Sequence, residues 1–240
     1  MMTSKHLVIS CHNNDLEYLF KLTDSRKNFS KDNIFIYNKG EQDLKEYQDK
    51  AQIRRLENTG YSITSFCTHI LENYNNLPDI LILIKGNVVP RHVSHNYFER
   101  IFDNNYFTAI EEWEYHDQNQ LSLQNGYAMI SADGGWMEVN NSWYLNHPEH
   151  PTKYFRSYNE FVSFCFKNPV HPKYVRFAPG GCYIVPKFNI LKYNKIFYKN
   201  IKTIVEHHTL SGETHLIERF MHTMWMCNYE VADTMKELIC

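Results

Sequence analysis

Short apolar runs alternate with amphipathic stretches along the first third of the chain. Residues 6–10, 34–37 and 80–84 are apolar runs, rich in β-branched side chains, with the length of buried strands. Residues 16–22 and 62–74 instead place apolar side chains at helical spacing. Alternation of strands with helices is typical of a parallel sheet flanked by helices, so the pattern predicts an α/β fold.

Each of these three predicted strands is followed by a polar segment that contains asparagine or glycine. The segments are residues 10–15, 38–40 and 85–87, and a further asparagine–glycine turn at residues 58–60 precedes the second helix. Because the carboxyl ends of parallel strands meet at one edge of a sheet, these segments are expected to lie together. The pattern therefore predicts a ligand site at that edge.

The second half of the chain is less regular. Residues 106–110 are consistent with a strand, residues 111–133 with a polar loop, and residues 182–185 with a strand after a Pro-Gly-Gly turn. Three further segments predict helices, at residues 157–168, at 189–205 and from Ser211 onward. With no linker or internal repeat, the sequence indicates one continuous domain over residues 1–240.

Composition narrows the class of protein. Lys and Arg number 25 against 27 Asp and Glu, a balance that argues against a nucleic-acid-binding protein. The six cysteines form no CxxC pair, so buried reduced thiols are expected. The start of the chain lacks the apolar core of a signal peptide, and no apolar stretch reaches the roughly 20 residues that span a bilayer. These features predict a cytoplasmic protein without a transmembrane segment.

The thirteen histidines do not predict a metal site. No HExxH motif occurs, and the adjacent pair His207 and His208 has no carboxylates at ligand spacing. Surface or packing roles are therefore expected for most of them.

Five segments in a fixed order resemble a widespread family of uncharacterised proteins, a domain of unknown function found in microbes, fungi and large viruses. They are VISCHNNDLEYL, IYNKG, LENTGYSITSFCTHILENYNNLPDILILIKGN, FAPGGCYIV and ETHLIERFMHTMW. The same segments are more distantly similar to nucleotide-sugar glycosyltransferases of the GT-A type. This second resemblance implies a single GT-A-like, Rossmann-like domain, with nucleotide binding in about residues 1–105 and acceptor binding and catalysis in about residues 106–240.

The GT-A resemblance implies a nucleotide-sugar site in the polar loops. The implied donor-binding residues are Ser10, His12, Asn13, Asn38, Asn58, Gly60, Lys85, Gly86 and Asn87. Helix capping and turn formation are the alternative roles for the asparagines and glycines. Where GT-A enzymes usually carry Asp-x-Asp, this chain has Lys85, Gly86 and Asn87. Two routes stay open: a metal-free one in which Lys85 offsets the leaving diphosphate, and one with Mn²⁺ or Mg²⁺ held partly by Asn87.

The resemblance also implies a catalytic base near the start of a late helix. Glu213 and Glu218 are the candidates, with His222 one helical turn after Glu218 on the same face. Alternative roles are helix-dipole complementarity for Glu213 and an ion pair with Arg219 for Glu218. The implied acceptor-binding residues are Arg91, His92 and Trp143, and ordinary packing is the alternative for the tryptophan.

These patterns and resemblances favour a glycosyltransferase that moves a hexosyl or pentosyl group from a nucleotide sugar to a hydroxyl of a glycan or glycoconjugate. A non-catalytic nucleotide- or carbohydrate-binding module on the same fold is the alternative, since the Asp-x-Asp motif is absent. A phosphoryl-transfer enzyme is less favoured, because no cluster of acidic residues marks a two-metal site.

Overall fold

The computed structural model describes residues 3–112 and 117–239, and its centre is a six-stranded, mostly parallel sheet. The strands of this sheet follow the spatial order β3-β2-β1-β4-β9-β5. They are β1 (Lys5–Cys11), β2 (Ile34–Asn38), β3 (Gln52–Arg55), β4 (Ile80–Lys85), β5 (Thr108–Ala109) and β9 (Tyr183–Pro186). The predicted α/β fold with a mostly parallel central sheet is confirmed.

Strand β9 is the one strand of this sheet that runs against the others. It pairs antiparallel with β4 on one side and with β5 on the other. β5 therefore points the same way as β1 to β4, and its carboxyl end lies at the same edge of the sheet. A strand from the second half of the chain thus completes a sheet begun by the first half.

Nine helices accompany the sheets in the described part of the chain. They are α1 (Glu17–Asp24), α2 (Tyr61–Asn73), α3 (Val88–Arg91), α4 (His95–Ile101), α5 (Asp117–Gln124), α6 (Tyr158–Cys165), α7 (Lys187–Ile190), α8 (Lys195–Glu206) and α9 (Gly212–Met226). None of them is long and apolar enough to cross a membrane.

The central sheet buries both faces, which explains its continuous apolar strands. Leu7, Ile9 and Ile82 belong to the core shared with α1 and α4, whereas Val8 and Leu83 belong to the core shared with α2, α6, α8 and α9. Successive residues of a strand point to opposite faces, so an unbroken run of apolar side chains supplies two cores. The predicted strands and first two helices agree with the structure to within two residues at each end.

Several predictions for the second half are wrong in detail. Residues 111–133, predicted as loop, contain α5 and the strand β6 (Ala128–Ile130), although residues 113–116 lie outside the described part. Strands β6, β7 (Trp136–Val139) and β8 (Tyr174–Arg176) form a separate antiparallel sheet. The predicted helix over residues 189–205 is two helices, α7 and α8, because the chain turns before Asn194 caps α8 through the Phe197 N–H.

Candidate functional site

The point where the order of the parallel strands reverses lies between β1 and β4. The chain passes from β1 outward to β2 and β3 and then returns to place β4 on the other side of β1. In open α/β sheets, the crevice outside the carboxyl ends of two such strands is the usual ligand site. Here the crevice lies between the segment after Cys11 and the segment after Lys85.

The two segments that border this crevice pack closely. The Asn14 Oδ1 atom accepts a hydrogen bond from the His12 backbone N–H at 3.0 Å. A Cβ atom at Gly86 would lie 2.8 Å from that same Oδ1, which is closer than real Cβ contacts. Glycine at position 86 is therefore required for the packing of the β1 and β4 loops.

Three of the predicted donor-binding side chains hydrogen bond within the protein. Asn13 Oδ1 accepts from the backbone N–H groups of Glu41 (2.9 Å) and Gln42 (3.1 Å). Asn38 Oδ1 accepts from the Gly40 N–H at 3.0 Å, and Ser10 Oγ lies 3.0 Å from Ser65 Oγ. These hydrogen bonds stabilise the loops. Turn formation was the alternative role that the sequence analysis gave for the asparagines.

A buried lysine, which the sequence analysis did not single out, fixes the turn before α2. Lys39 is only 5% exposed, and its Nζ donates to the carbonyl oxygens of Thr59 and Tyr61 and to the Thr64 hydroxyl. Burial lowers the pKa of Lys39 to about 7, although Glu57 raises it. The lysine thus joins the end of β2 to the start of α2.

The structure brings His12 and Asn58 together at the mouth of the crevice. Asn58 Nδ2 lies 3.3 Å from His12 Nε2, and His12 is exposed. Gly60 follows with a φ of +58°, the left-handed conformation that glycine adopts at little cost, and its N–H bonds to the His208 carbonyl. The predicted grouping of the loops after β1 and before α2 is therefore present as a contact.

The glycine turn at Pro179–Gly181 packs against the end of β4. Gly180 has a φ of +76°, and a Cβ atom there would lie 2.6 Å from Lys85 Cδ and 3.2 Å from His92 Nε2. Its carbonyl oxygen accepts from the Ser62 hydroxyl at 2.9 Å. The turn therefore holds Lys85 and His92 close together beside the start of α2.

Asn87 follows this lysine and caps no helix through its side chain. Its Oδ1 atom is buried and accepts no hydrogen bond from the described residues. An amide oxygen in this state is able to accept a hydrogen bond from a ligand or water.

One face of α9 turns three half-buried polar side chains toward this region. They are His215, Glu218 and His222, at successive helical spacings of three and four. Glu218 is 17% exposed and has a carboxylate oxygen 3.9 Å from His215 Nδ1. Burial by itself would raise the pKa of Glu218, but His215 and the charges of Lys85 and Arg219 hold it below its ordinary value. Glu218 is therefore a carboxylate at neutral pH.

The ion pair considered for Glu218 and Arg219 is not the one that forms. The Arg219 guanidinium instead pairs with Glu138 of β7 and donates to the carbonyl oxygens of Val139 and His215. This arginine fixes α9 to the small sheet, and Glu218 makes no ion pair with it.

Glu213 is fully buried and makes five hydrogen bonds. Its Oε1 accepts from the N–H groups of Lys153 (2.6 Å), Tyr154 (2.7 Å) and Phe155 (3.4 Å). Its Oε2 lies 3.0 Å from both Ser211 Oγ and His207 Nε2. The hydrogen bonds lower the pKa of Glu213 although its burial raises it. This geometry favours a role in holding the segment before α6 over a role as base.

His222 lies further from the lysine, against β5. Its ring centroid is 5.3 Å from that of Phe107, and burial lowers the pKa of His222 to about 4. It is a neutral imidazole at physiological pH.

A row of stacked rings begins at His215, which lies near Glu218, and ends at the protein surface. The Tyr144 ring stacks on His215 with centroids 4.0 Å apart, and Trp143 stacks on Tyr144 at 3.8 Å. Trp143 is 60% exposed, so its outer face is open. The ring centroids of Tyr61 and His215 lie 5.5 Å apart. Burial raises the pKa of Tyr61, and the positive charge of Arg91 lowers it. Arg91 and Trp143, both predicted to bind the acceptor, thus flank the same α9 face.

One carboxylate at this edge was missed by the sequence analysis. Glu111 lies two residues after the end of the short strand β5, and it pairs with Arg176 of β8 at 2.7 Å. Glu111 and Glu112 follow the apolar residues 106–110, and this pattern could have identified the carboxylate. It was overlooked because residues 111–133 were interpreted as a loop.

The residues at the end of β4 do not form a metal site. A lysine ammonium stands where a carboxylate ligand would be needed, and amide oxygen is the only hard donor among the three residues. Within the described ranges, no three His, Cys, Asp or Glu side chains form a group that could hold a metal ion. The side chains at the end of β4 therefore do not suit the Mn²⁺ or Mg²⁺ ion that the GT-A resemblance allowed.

Comparison with known proteins places the chain in a family. Residues 7–240 match the family described as "Protein of unknown function (DUF3431)". The chain belongs to this family. No curated protein and no solved structure matches the DUF3431 chain. The resemblance to an uncharacterised family is confirmed, whereas the description of DUF3431 gives no activity and supplies no link to glycosyltransferases.

Proposed function

We propose that this DUF3431 protein is a glycosyltransferase that moves a sugar from a nucleotide-sugar donor to a hydroxyl of a glycan or glycoconjugate. One observation carries the proposal: the positive charge of Lys85, at the end of β4, acts on the carboxylate of Glu218, on α9, beside the crevice between β1 and β4. The Lys85 charge lowers the pKa of Glu218, and both groups act on the Cys182 thiol, so the two lie close. A cation and a base at a strand-order reversal suit group transfer from a nucleotide.

The donor would lie in the crevice, with its nucleotide toward His12 and Asn58. Its diphosphate would face Lys85, whose ammonium is a compact positive charge. The buried Asn87 oxygen would accept a hydrogen bond from a donor hydroxyl. As the sugar C1–O bond to the diphosphate breaks, Lys85 offsets the charge that develops on the leaving group.

The acceptor would enter along α9, between Arg91 and the exposed face of Trp143. Its hydroxyl oxygen forms the new bond to C1, and Glu218 takes the hydroxyl proton. A lowered pKa keeps Glu218 ionised and ready to accept that proton. General-base catalysis by a positioned carboxylate contributes roughly 10²–10⁴-fold in rate.

Thermal-shift titration with a panel of nucleotide sugars tests binding, and donor hydrolysis or transfer tests chemistry. We expect one nucleotide family to raise the melting temperature of the wild type. Lys85→Met should weaken that binding about tenfold, which is about 1.4 kcal/mol. The matched control is Lys45→Met, whose lysine is 77% exposed and pairs only with Asp43 among the described residues.

Glu218→Gln should bind the donor as the wild type does but lose turnover by at least roughly 100-fold. If no nucleotide sugar binds, the transferase proposal is wrong. Binding without turnover on any acceptor would favour the non-catalytic module, an alternative that the lack of carboxylates at Lys85, Gly86 and Asn87 also supports.

A further inference from the structure

A cleft of about 500 Å³ opens beside β5, at the same edge of the sheet as the crevice but two strands away from β4. Its walls come from α4, from β5, and from the turn between β6 and β7. Tyr106, Phe107, Glu111, Asp133 and Arg176 are among the side chains that line it. None of these residues belongs to the proposed donor or acceptor site.

The floor of the cleft contains a carboxyl group with an unmet hydrogen bond. The Glu111 side chain is 9% exposed, and its Oε1 accepts from Arg176 Nε at 2.8 Å. Its Oε2 is buried and has no hydrogen-bond partner among the described residues. A buried polar atom without a partner is costly, and proteins usually resolve it with water or a ligand.

Glu111 is also suited to both directions of hydrogen bonding. Burial raises its pKa to about 7, although the Arg176 guanidinium lowers it. Near neutral pH the group therefore exists with and without its proton, so it donates to a ligand oxygen or accepts from a ligand hydroxyl. The terminal torsion of a glutamate is soft, so a rotation of the Glu111 carboxyl group costs little by itself.

The charges that line the cleft nearly cancel. Arg176 pairs with Glu111 and also with Asp133, at 2.9 Å from Nη1. Arg100 lies over the Tyr97 ring, and Glu112 accepts from the backbone and hydroxyl of Ser94. A lining of paired charges offers little attraction to a phosphate or to a cationic ligand. It offers many hydrogen-bonding atoms to a neutral one.

The cleft also has an exposed aromatic surface. Tyr106 is 64% exposed, and Phe107 continues the apolar wall toward His222 and Trp225. A flat ring beside carboxylate and guanidinium groups fits a molecule with one CH-rich face and hydroxyls around its rim. Carbohydrates have that chemistry.

We propose that this cleft binds a neutral carbohydrate, with its ring stacked on Tyr106 and its hydroxyls bonded to Glu111 and Arg176. The proposal does not rest on transferase activity, because no nucleotide and no reaction are involved. It holds equally for an enzyme and for a binding module.

Saturation-transfer NMR and calorimetry with uncharged trisaccharides test the proposal, with cellotriose, maltotriose and tri-N-acetylchitotriose as probes and inorganic phosphate as the charged comparison. We expect at least one trisaccharide to bind at millimolar concentration or tighter, and phosphate not to compete. Tyr106→Ala should weaken the binding at least fivefold. The matched control is Tyr127→Ala, since Tyr127 is 59% exposed and does not line the cleft.

Glu111→Gln should weaken binding at pH 7 and reduce its dependence on pH between 6 and 8. Should that variant fail to fold, the comparison of the two exposed tyrosines still decides. The proposal is overturned if none of the three trisaccharides binds, if Tyr106→Ala binds within twofold of Tyr127→Ala, or if phosphate competes for the cleft. Loss of nucleotide-sugar binding in the separate titration leaves this result unaffected, so the two proposals fail independently.

Discussion

Two glutamates on α9, five residues apart, differ in exposure and in hydrogen bonding. Glu213 is fully buried and its two oxygens make five hydrogen bonds, so little capacity remains for a substrate proton. Glu218 is partly exposed and lies near a lysine and a histidine. Sequence position placed both on one late helix, with Glu213 at its start, but only the contacts made elsewhere in the fold separate their roles.

Replacing Glu213 with glutamine should therefore affect stability. The amide group cannot accept from all five donors, because its NH2 group replaces one of the two carboxylate oxygens and the remaining oxygen is uncharged. We expect the free energy of unfolding to fall by about 2–4 kcal/mol, measured by urea denaturation. Glu218→Gln should change it by less than about 1 kcal/mol. Equal stability losses in the two variants would contradict this division of roles.

At the scale of elements, the turn at Pro179–Gly181 connects the sheet to the proposed site. Gly180→Ala places a methyl group in left-handed backbone and within 2.6 Å of Lys85 Cδ. Gly134→Ala is a close control, because Gly134 has a φ of +81° and a Cβ there meets no described atom within 4 Å. Both should lose about 1–2 kcal/mol from backbone strain. Gly180→Ala should lose about 1–3 kcal/mol more from overpacking and should also weaken nucleotide-sugar binding.

Unfolding curves and donor titrations of the two alanine variants measure this difference. Equal stability in both would mean that Lys85 moves aside without cost. In that event, the turn does not position the lysine.

The elements that sequence could predict are those whose burial shows in their own residues. Strands β1, β2 and β4 are continuous apolar runs because both faces of the sheet are covered. β3 was missed, since its sequence is Gln-Ile-Arg-Arg and it lies at the edge of the sheet with exposed side chains. The sheet of β6, β7 and β8 was missed because each strand has only three or four residues, and β7 and β8 each include a charged side chain.

Some features of the candidate site could likewise be predicted from the sequence, and others could not. The contact of His12 with Asn58 agrees with parallel topology: His12 follows the predicted strand β1, whereas Asn58 was grouped with it only as part of the asparagine–glycine turn before α2. The ring stack on His215 depends on the packing of residues far apart in sequence, and no local pattern encodes it. The position of Glu111 could be predicted only by knowing that β5 is an edge strand paired with β9, and this pairing joins residues that are far apart in sequence.

At the scale of the whole molecule, β9 and α9 explain how the two halves of the chain form one site. β9 comes from the second half yet lies between β4 and β5, and its preceding turn carries Gly180. α9 then covers that turn: Gly181 allows an approach so close that a Cβ would lie 2.9 Å from Met221 Sδ. Lys85 from the first half and Glu218 from the second are thereby brought to one edge of one sheet.

A pair of neutral histidines inside the fold makes the stability of the molecule depend on pH. His6 of β1 and His69 of α2 lie 3.1 Å apart, from Nδ1 to Nε2, and the His69 ring also meets the Tyr37 hydroxyl at 3.1 Å. Burial lowers the pKa of His6 to about 4 and that of His69 to about 3, against an ordinary value of 6.5. Folding therefore favours the neutral imidazoles, and their contribution is complete above pH 6.5.

As pH falls from 6.5 toward 4, these histidines bind protons in the unfolded chain but not in the folded protein, so the free energy of unfolding decreases. Each histidine contributes up to about 1.4 kcal/mol per pH unit in this window. Glu111 acts in the opposite direction, because its raised pKa makes folding favour the protonated carboxyl as pH falls from about 7. Comparing variants at the same pH values separates the two effects.

His6→Gln keeps a side-chain N–H that can donate to His69 and removes one titrating group. Between pH 7 and pH 5.5, we expect the wild type to lose roughly 1 kcal/mol more than this variant in urea unfolding. His171→Gln, at an exposed histidine bonded to Ser163, should lose stability as the wild type does. If His6→Gln and His171→Gln show the same change with pH, the His6 imidazole is not held neutral by the fold, and the acid sensitivity must arise from other groups.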